Sequence, residues 1–188
     1  GYTGVTTVIS GATLNLKYDG TPTFNSSAYT GAGTVILEPV TAGGSIALGG
    51  SGSTLNLPVS LSNKFTDPLT TLIIGGVAID GSPNSGNITI TGANSFVNAI
   101  SVLSGGNITI NSSASLATSK SSGNLVVAAT GNFLNLAGAS ALQTTDSGST
   151  DRWIVYTANP TNANFGTSGT LVSGNKAFWG STYSSLAP

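Results

Sequence analysis

Six carboxylates are the main candidates for acid–base chemistry in this sequence, because it contains no histidine and no cysteine. They are Asp19, Glu38, Asp67, Asp80, Asp146 and Asp151. Hydrolysis of a glycosidic bond needs two carboxyl groups about 5 to 9.5 Å apart. No two of the acids are close in sequence, but stacked turns of chain would bring Asp67 near Asp80, or Asp146 near Asp151. Solvated turn residues are the favoured interpretation, and we expect no enzymatic activity.

The five basic residues form no cluster beside these acids. A polysaccharide lyase would need such a cluster, because it abstracts a proton next to an anionic group. Without cysteine or histidine, no disulfide, thiolate or histidine metal site is possible. We therefore expect no cofactor and no metal, and a carbohydrate-active enzyme remains the alternative function.

Asparagine after glycine is the second pattern with a possible chemical role. It recurs at Asn87, Asn107, Asn124 and Asn132. A row of such side chains would bind sugars, or it would form a structural ladder in which stacked asparagines hydrogen-bond along the corners of a repetitive fold. The ladder is the favoured interpretation.

A repeat shows which elements must position these side chains. The string Gly-Asn-Ile-Thr-Ile occurs at residues 86–90 and again at residues 106–110. Each copy alternates apolar and polar residues after a turn pair, which is typical of a half-buried strand. A period of about 20 residues is too short for an independent domain and fits one coil of a solenoid.

Similar strand patterns along the chain predict an all-β parallel β-helix, or β-solenoid, of about seven to nine coils. At about 4.8 Å per strand, the rod would be ~40 Å long. Positions 35 and 55 are separated by the same interval as the two copies, and Gly123 opens a further strand at a slightly shorter interval after Gly106. Residues 60–67, between Pro58 and Pro68, are predicted to form a short helical turn. The side chains expected inside are Val35, Leu37, Leu55, Leu57, Leu72, Ile74, Ile88, Ile90, Ile108, Ile110, Leu125 and Val127.

Composition limits the possible partners. Only 6% of the residues are charged and the net charge is −1, so there is no electrostatic footprint for nucleic acid or an anionic membrane. No apolar run approaches the ~20 residues of a membrane span, so membrane insertion is not expected. Hydrophobic residues make up 39% of the chain and recur in alternation, which favours ordered β structure over disorder. Because no signal region is visible, we expect a mature or excised piece of a secreted protein.

The residue pattern changes near residue 150, where the repeat-like strand pattern gives way to a less repetitive tail. Residues 1–150 are predicted to be solenoid coils, and residues 151–188 the last coil with a capping tail. Both tryptophans lie in this tail, with Trp153 expected in the last coil. Aromatic side chains can cover the open end of a solenoid. The tail aromatics could instead stack on sugar rings, and Trp179 is the one most expected to touch a partner.

Two strings in the tail carry a family resemblance. Asp-Arg-Trp-Ile-Val-Tyr-Thr-Ala-Asn-Pro stands at 151–160 and Gly-Asn-Lys-Ala-Phe-Trp-Gly-Ser-Thr-Tyr at 174–183. They resemble a C-terminal segment of filamentous-haemagglutinin-like large exoproteins, which use two-partner secretion. Residues 41–50 are similar to the repeat region of that family. The resemblance implies a right-handed parallel β-helix at the bacterial cell surface, acting as an adhesin, a biofilm scaffold or a carrier of other modules.

These observations predict a secreted or surface-exposed structural or adhesive solenoid, either a module of an adhesin or the subunit of a filament. The strands at the N-terminal end contain no charge before Lys17, so this edge is not protected against pairing. End-to-end contacts that repeat without closing produce filaments. Host or matrix glycans are the other expected partners, and ice binding by outward threonines is disfavoured because the Thr pattern does not persist. The candidate contact residues are Val5, Val8, Leu14, Leu16, Trp153, Tyr156, Phe178, Trp179 and Tyr183.

Overall fold

The computed structural model describes residues 3–77, 85–121, 123–144 and 152–158, together with Asn164, Phe165, Leu171 and Tyr183. Within these residues the chain consists of short strands and one 3₁₀ helix at Val59–Lys64. The strands are β1 (Val5–Thr7), β2 (Thr13–Lys17), β3 (Ala28–Thr30), β4 (Thr34–Glu38), β5 (Ile46–Leu48), β6 (Leu55–Leu57), β7 (Thr71–Gly75), β8 (Ile88–Ile90), β9 (Ala93–Phe96), β10 (Ala99–Ser104), β11 (Ile108–Ile110), β12 (Ser115–Thr118), β13 (Leu125–Ala129), β14 (Phe133–Asn135), β15 (Leu142–Thr144) and β16 (Trp153–Thr157). All of the pairings between these strands are parallel, which confirms the predicted all-β solenoid.

The strands form three faces that the chain visits in turn. The six-stranded sheet has the order β16-β13-β10-β7-β4-β2, and the five-stranded sheet has the order β14-β11-β8-β5-β6. The third face consists of the pair β1-β3 and the sheet β15-β12-β9. The 3₁₀ helix lies between these two parts and contacts both β3 and β9. A helical turn was predicted at 60–67, and the structure confirms it with Leu61 buried.

The number of coils is smaller than predicted. Each turn contributes one strand to the six-stranded sheet, so the solenoid has about six turns rather than seven to nine. The register pairs Thr13 with Thr34 and Thr34 with Thr71, so the second of these two turns contains much more chain than the first. Loops at the corners lengthen the turns beyond the coil length that the repeated string predicts. At about 4.8 Å per strand, the stack is ~30 Å long.

The repeated string forms one in-register pair, as the sequence predicts. Ile88 pairs with Ile108 and Thr89 with Thr109 in the five-stranded sheet. In the next turn Phe133 pairs with Ile108, whereas Leu125 belongs to the six-stranded sheet. The shorter interval from Gly106 to Gly123 therefore leads from a strand of the five-stranded sheet to a strand of the six-stranded sheet, and it is not the length of one turn.

Two consecutive strands, β5 and β6, are parallel neighbours in the five-stranded sheet, with Ile46 beside Leu55. The loop between them brings the chain back so that β6 runs in the same direction as β5. This loop contains Gly49 at φ +79° and Gly52 at φ +88°. A side chain at Gly49 would also collide with the carbonyl oxygen of Thr91 in the following turn. Because Val35 lies in the six-stranded sheet, its interval to Leu55 also joins two faces and is not a coil length.

The interior contains the side chains that the alternation places there. All twelve of the side chains predicted to lie inside are fully buried: Val35, Leu37, Leu55, Leu57, Leu72, Ile74, Ile88, Ile90, Ile108, Ile110, Leu125 and Val127. Thr89 and Thr109 are partly exposed between their buried neighbours. The corner lengths vary from turn to turn, but the alternation is clear in strands such as β6, β8 and β11.

Candidate functional site

The described acids are each engaged in a local contact. The Asp19 carboxylate accepts hydrogen bonds from the Val40 and Thr41 backbone N–H groups at 3.1 and 3.2 Å, and from the Thr41 hydroxyl at 2.6 Å. The Thr41 hydroxyl is the largest cause of a lowered pKa at Asp19. Glu38 is buried and bonds to the Lys17 ammonium at 2.9 Å and the Asn15 amide at 2.6 Å.

Asp67 forms an ion pair with Lys120 in an open depression of about 390 Å³. The depression is lined by Asp67, Val97, Ser119, Lys120 and Ser121. It holds one carboxylate and one ammonium, and no second acid lines it among the described residues. The two proposed acid pairs remain predictions, because Asp80, Asp146 and Asp151 lie outside the described residues. Across the part of the chain that the structure describes, no three potential metal ligands come together.

Three of the four candidate asparagines stand in one row at the entrance to the five-stranded sheet. The Asn87 Oδ1 accepts a hydrogen bond from the Asn107 N–H at 2.9 Å, and the Asn107 Oδ1 accepts one from the Asn132 N–H at 2.8 Å. Asn124 is not in this row, because it precedes β13 of the six-stranded sheet, where its carbonyl accepts from the Ile100 N–H at 3.1 Å. Each bond in the row joins consecutive turns, which is what a structural ladder does.

At the N-terminal end, β2 is the last strand of the six-stranded sheet. Leu14 and Leu16 are half-buried and pack on the core from this last strand. Val8 lies within the core at 5% exposure, whereas Val5 is 49% exposed. Two of the four candidate residues here, Leu14 and Leu16, therefore form an apolar layer at the edge of the stack.

At the C-terminal end, Trp153 lies in β16, pairs with Leu125 and packs on the core. Phe165 contacts Phe133 with ring centroids 5.8 Å apart, and Leu171 is buried in the core. An aromatic side chain and a leucine thus cover this part of the interior. Phe178 and Trp179 lie outside the described residues.

Tyr156 and Tyr183 meet away from the interior. Their rings are 5.7 Å apart in an edge-to-face arrangement at 81°. Tyr156 alternates with Val155, which packs on the core, so the Tyr156 ring lies on the outer face of β16. Burial and, to a smaller extent, the neighbouring Tyr183 raise the pKa of the Tyr156 phenol. Tyr183 therefore contacts a flank of the solenoid.

One surface was missed by the sequence reasoning, namely the outer face of the six-stranded sheet. Its central row contains four apolar residues, Ile36, Ile73, Val126 and Ile154. The signal was present in the unbroken apolar runs at 35–37, 72–74 and 125–129, which are typical of strands that are covered on both sides. Strict alternation is expected only where one side faces water.

None of the described residues forms a helix of the length and apolarity that a bilayer crossing requires. Comparisons with protein-family models, curated proteins and solved structures give no match to this chain. The resemblance to filamentous-haemagglutinin-like exoproteins therefore stays a prediction.

Proposed function

We propose that this chain is an extracellular structural or adhesive β-solenoid that assembles end to end with further copies of itself. The observation that carries the proposal is the N-terminal edge of the stack. There β2 ends the six-stranded sheet and presents the half-buried Leu14 and Leu16. Within the described residues, no strand continues the sheet beyond β2.

The backbone groups and apolar side chains at this edge favour a second copy of the chain as the partner. A sheet edge offers unpaired backbone N–H and C=O groups, and an apolar layer beside it favours another turn with inward apolar side chains. A second copy supplies turns with that alternation, because its own interior is built in the same way. The net charge of −1 leaves little repulsion between copies.

The extracellular location rests on other support. The tail strings at 151–160 and 174–183 resemble those of exported adhesins, and the chain contains no cysteine. Host or matrix glycans are the ligands we propose for the loops and flanks of the rod.

Electron microscopy of the purified protein over a concentration series tests the assembly. Fibres with an axial repeat near the ~30 Å length of one stack would support end-to-end pairing. Discrete short particles at every concentration would contradict it and would leave an adhesin module that does not polymerise.

A carbohydrate-active enzyme is the second candidate, because Lys120 lies beside Asp67 in the open depression. A lyase uses such a cation to neutralise the substrate carboxylate while a base takes the neighbouring proton. Incubation with pectin-like or alginate-like polymers tests it. Chain cleavage that is lost in Asp67→Asn would support this candidate, and intact polymer would exclude it for these substrates.

A further inference from the structure

The corner between the third face and the six-stranded sheet changes length sharply from turn to turn. Only Val97 and Asn98 separate β9 from β10, whereas residues 66–70 precede β7 and residues 119–124 separate β12 from β13. The three corners belong to consecutive turns, because β10 pairs with β7 on one side and with β13 on the other. The short corner therefore lies between two longer ones.

The open depression of about 390 Å³ lies at this short corner. Val97 forms its floor and is 43% exposed. Asp67 stands on one wall, and Ser119, Lys120 and Ser121 stand on the other. The walls come from turns two strand spacings apart, so they are separated by ~10 Å. Sites for small ligands have volumes of about 300 to 1,000 Å³, and the depression falls within that range.

The floor is hydrogen-bonded to both walls. Asn98 is buried, and its Nδ2 donates to the Thr66 carbonyl oxygen, directly before Asp67, at 3.3 Å. The Asn98 carbonyl oxygen accepts a hydrogen bond from the Thr118 hydroxyl at 2.6 Å, and Thr118 Oγ1 accepts one from the Lys120 N–H at 3.1 Å. The backbone of each wall is thus fixed by the fold, and only the side chains of Asp67 and Lys120 need to move to admit a ligand.

The Asp67–Lys120 ion pair reaches across the floor and can be opened at small cost. The side chains are 62% and 26% exposed, and an ion pair at such a surface adds little to stability. The carboxylate only accepts hydrogen bonds and the ammonium only donates them. One charge of each sign leaves the described lining residues without net charge, so a polyanion gains attraction from Lys120 and repulsion from Asp67.

A pair of vicinal hydroxyl groups fits between these two side chains. Because a hydroxyl both donates and accepts, one can donate to the Asp67 carboxylate while its neighbour accepts from the Lys120 ammonium. The exposed Ser121 hydroxyl provides a further donor and acceptor on the wall. The apolar C–H face of a sugar ring can then cover Val97 on the floor. These groups together match a saccharide that carries no charge.

We propose that this depression is a binding subsite for a neutral saccharide, whose vicinal hydroxyls insert between Asp67 and Lys120 while the ring packs on Val97. The inference rests on the adhesive part of the proposed function and names its site and ligand class. It requires no bond cleavage and no anionic substrate, which separates it from the lyase candidate at the same ion pair.

NMR titration of the ¹⁵N-labelled full-length chain with cellohexaose, mannohexaose and maltohexaose tests the proposal. We expect saturable shifts of the amide signals of Val97, Lys120 and Ser121 with one or more of these sugars, and weaker binding of hexagalacturonate. Electron microscopy of the same samples records assembly separately. Binding without fibres would contradict only the end-to-end assembly, and fibres without binding would contradict only this inference.

Substitutions then separate the contacts. Asp67→Ala and Lys120→Met should each weaken binding by about tenfold or more, because each removes a hydrogen bond to a charged group. Val97→Ser should weaken it roughly threefold, because it removes apolar contact with the ring. Val40→Ser is the matched control, since Val40 is 62% exposed at the corner between β4 and β5. It should leave the affinity unchanged.

Three outcomes would overturn the proposal. The first is the absence of saturable shifts with all three neutral hexasaccharides. The second is tighter binding of hexagalacturonate, which would assign the depression to an acidic polysaccharide held by Lys120. The third is unchanged affinity in Lys120→Met and Val97→Ser, which would place the sugar elsewhere on the rod. Circular dichroism checks the fold of each variant, and Lys120→Gln replaces Lys120→Met if that variant does not fold.

Discussion

At the residue scale, the repeated Gly-Asn pair has a steric explanation. The Asn87 side chain lies over Gly106 of the next turn, so a Cβ at Gly106 would collide with its amide oxygen. The Asn107 side chain occupies the same position over Gly131. The ladder therefore needs both residues of the pair, the asparagine to accept a hydrogen bond from the next turn and the glycine to leave room for it.

Removal of one ladder side chain should be measurable. Asn107→Ala leaves the Asn132 N–H without its side-chain acceptor, so we expect a loss of about 1 kcal/mol in the free energy of unfolding. Asn124→Ala is the matched control, because the described bond of Asn124 uses its backbone carbonyl. Urea denaturation of both variants provides the measurement. Equal losses in the free energy of unfolding for the two variants would show that an asparagine in the row stabilises the fold no more than one outside it.

Asp19 provides a pH-dependent prediction. Hydrogen bonds, chiefly from the Thr41 hydroxyl, hold the pKa of its carboxyl below the ordinary value. A carboxyl with a lowered pKa in the folded state adds stability above its unfolded pKa, and this stability is lost as the pH falls through the folded pKa. In Thr41→Val the pKa should rise toward the ordinary value. Carboxyl ¹³C NMR titration measures it, and an unchanged pKa in Thr41→Val would refute the assigned cause.

At the element scale, each strand is a short alternating unit whose inward side chains interlock with those of the turns above and below. Ile110 is fully buried between Ile90 and Asn135 of the neighbouring turns. Thr109, the adjacent residue in the same strand, is partly exposed. The two faces of one short strand thus differ completely in how much packing they provide.

We expect Ile110→Ala to destabilise the protein by about 2 to 5 kcal/mol, because it removes buried methyl groups and leaves a cavity. Thr109→Ala in the same strand should change stability by less than about 0.5 kcal/mol. Urea or thermal unfolding, followed by circular dichroism, compares the two. Similar losses at both positions would mean that the outer face of the five-stranded sheet is also packed.

At the scale of the whole molecule, the fold is a one-dimensional stack in which each turn contacts mainly its neighbours. Such a stack can be extended at an open edge without changing its interior. The edge strand β2 carries one charged residue, Lys17, and its ammonium is bound to Glu38 of the adjacent strand. A lysine engaged in this way is a weaker guard against edge pairing than one projecting along the edge.

The assembly therefore predicts different effects for two neighbouring positions. Leu14→Lys places a charge in the apolar layer that an added turn would bury, so it should abolish fibres or shift them to much higher concentration. Thr13→Lys adds the same charge on the exposed side of the strand and should leave assembly nearly unchanged. Sedimentation velocity and electron microscopy compare them. Equal assembly of the two variants would exclude this edge as the contact.

The sequence by itself determined the local features. Alternation placed twelve inward side chains correctly, and the repeat identified the in-register pair of β8 and β11, because both depend on contacts within one strand or between adjacent turns of equal length. It also predicted the helical turn between Pro58 and Pro68, since proline restricts where a helix begins and ends.

The tertiary structure decided which strands share a face. Corner loops of different length separate equivalent strands, so spacing along the chain does not identify the partner of Leu55 or Leu125. The solenoid has about six turns rather than the predicted seven to nine, because the corner loops make each turn longer than the repeat suggests. The low exposure of the outward Val126, 1%, was also decided there. Local pattern specifies a strand and its inward side, whereas the partner and register of each strand arise only when distant segments meet.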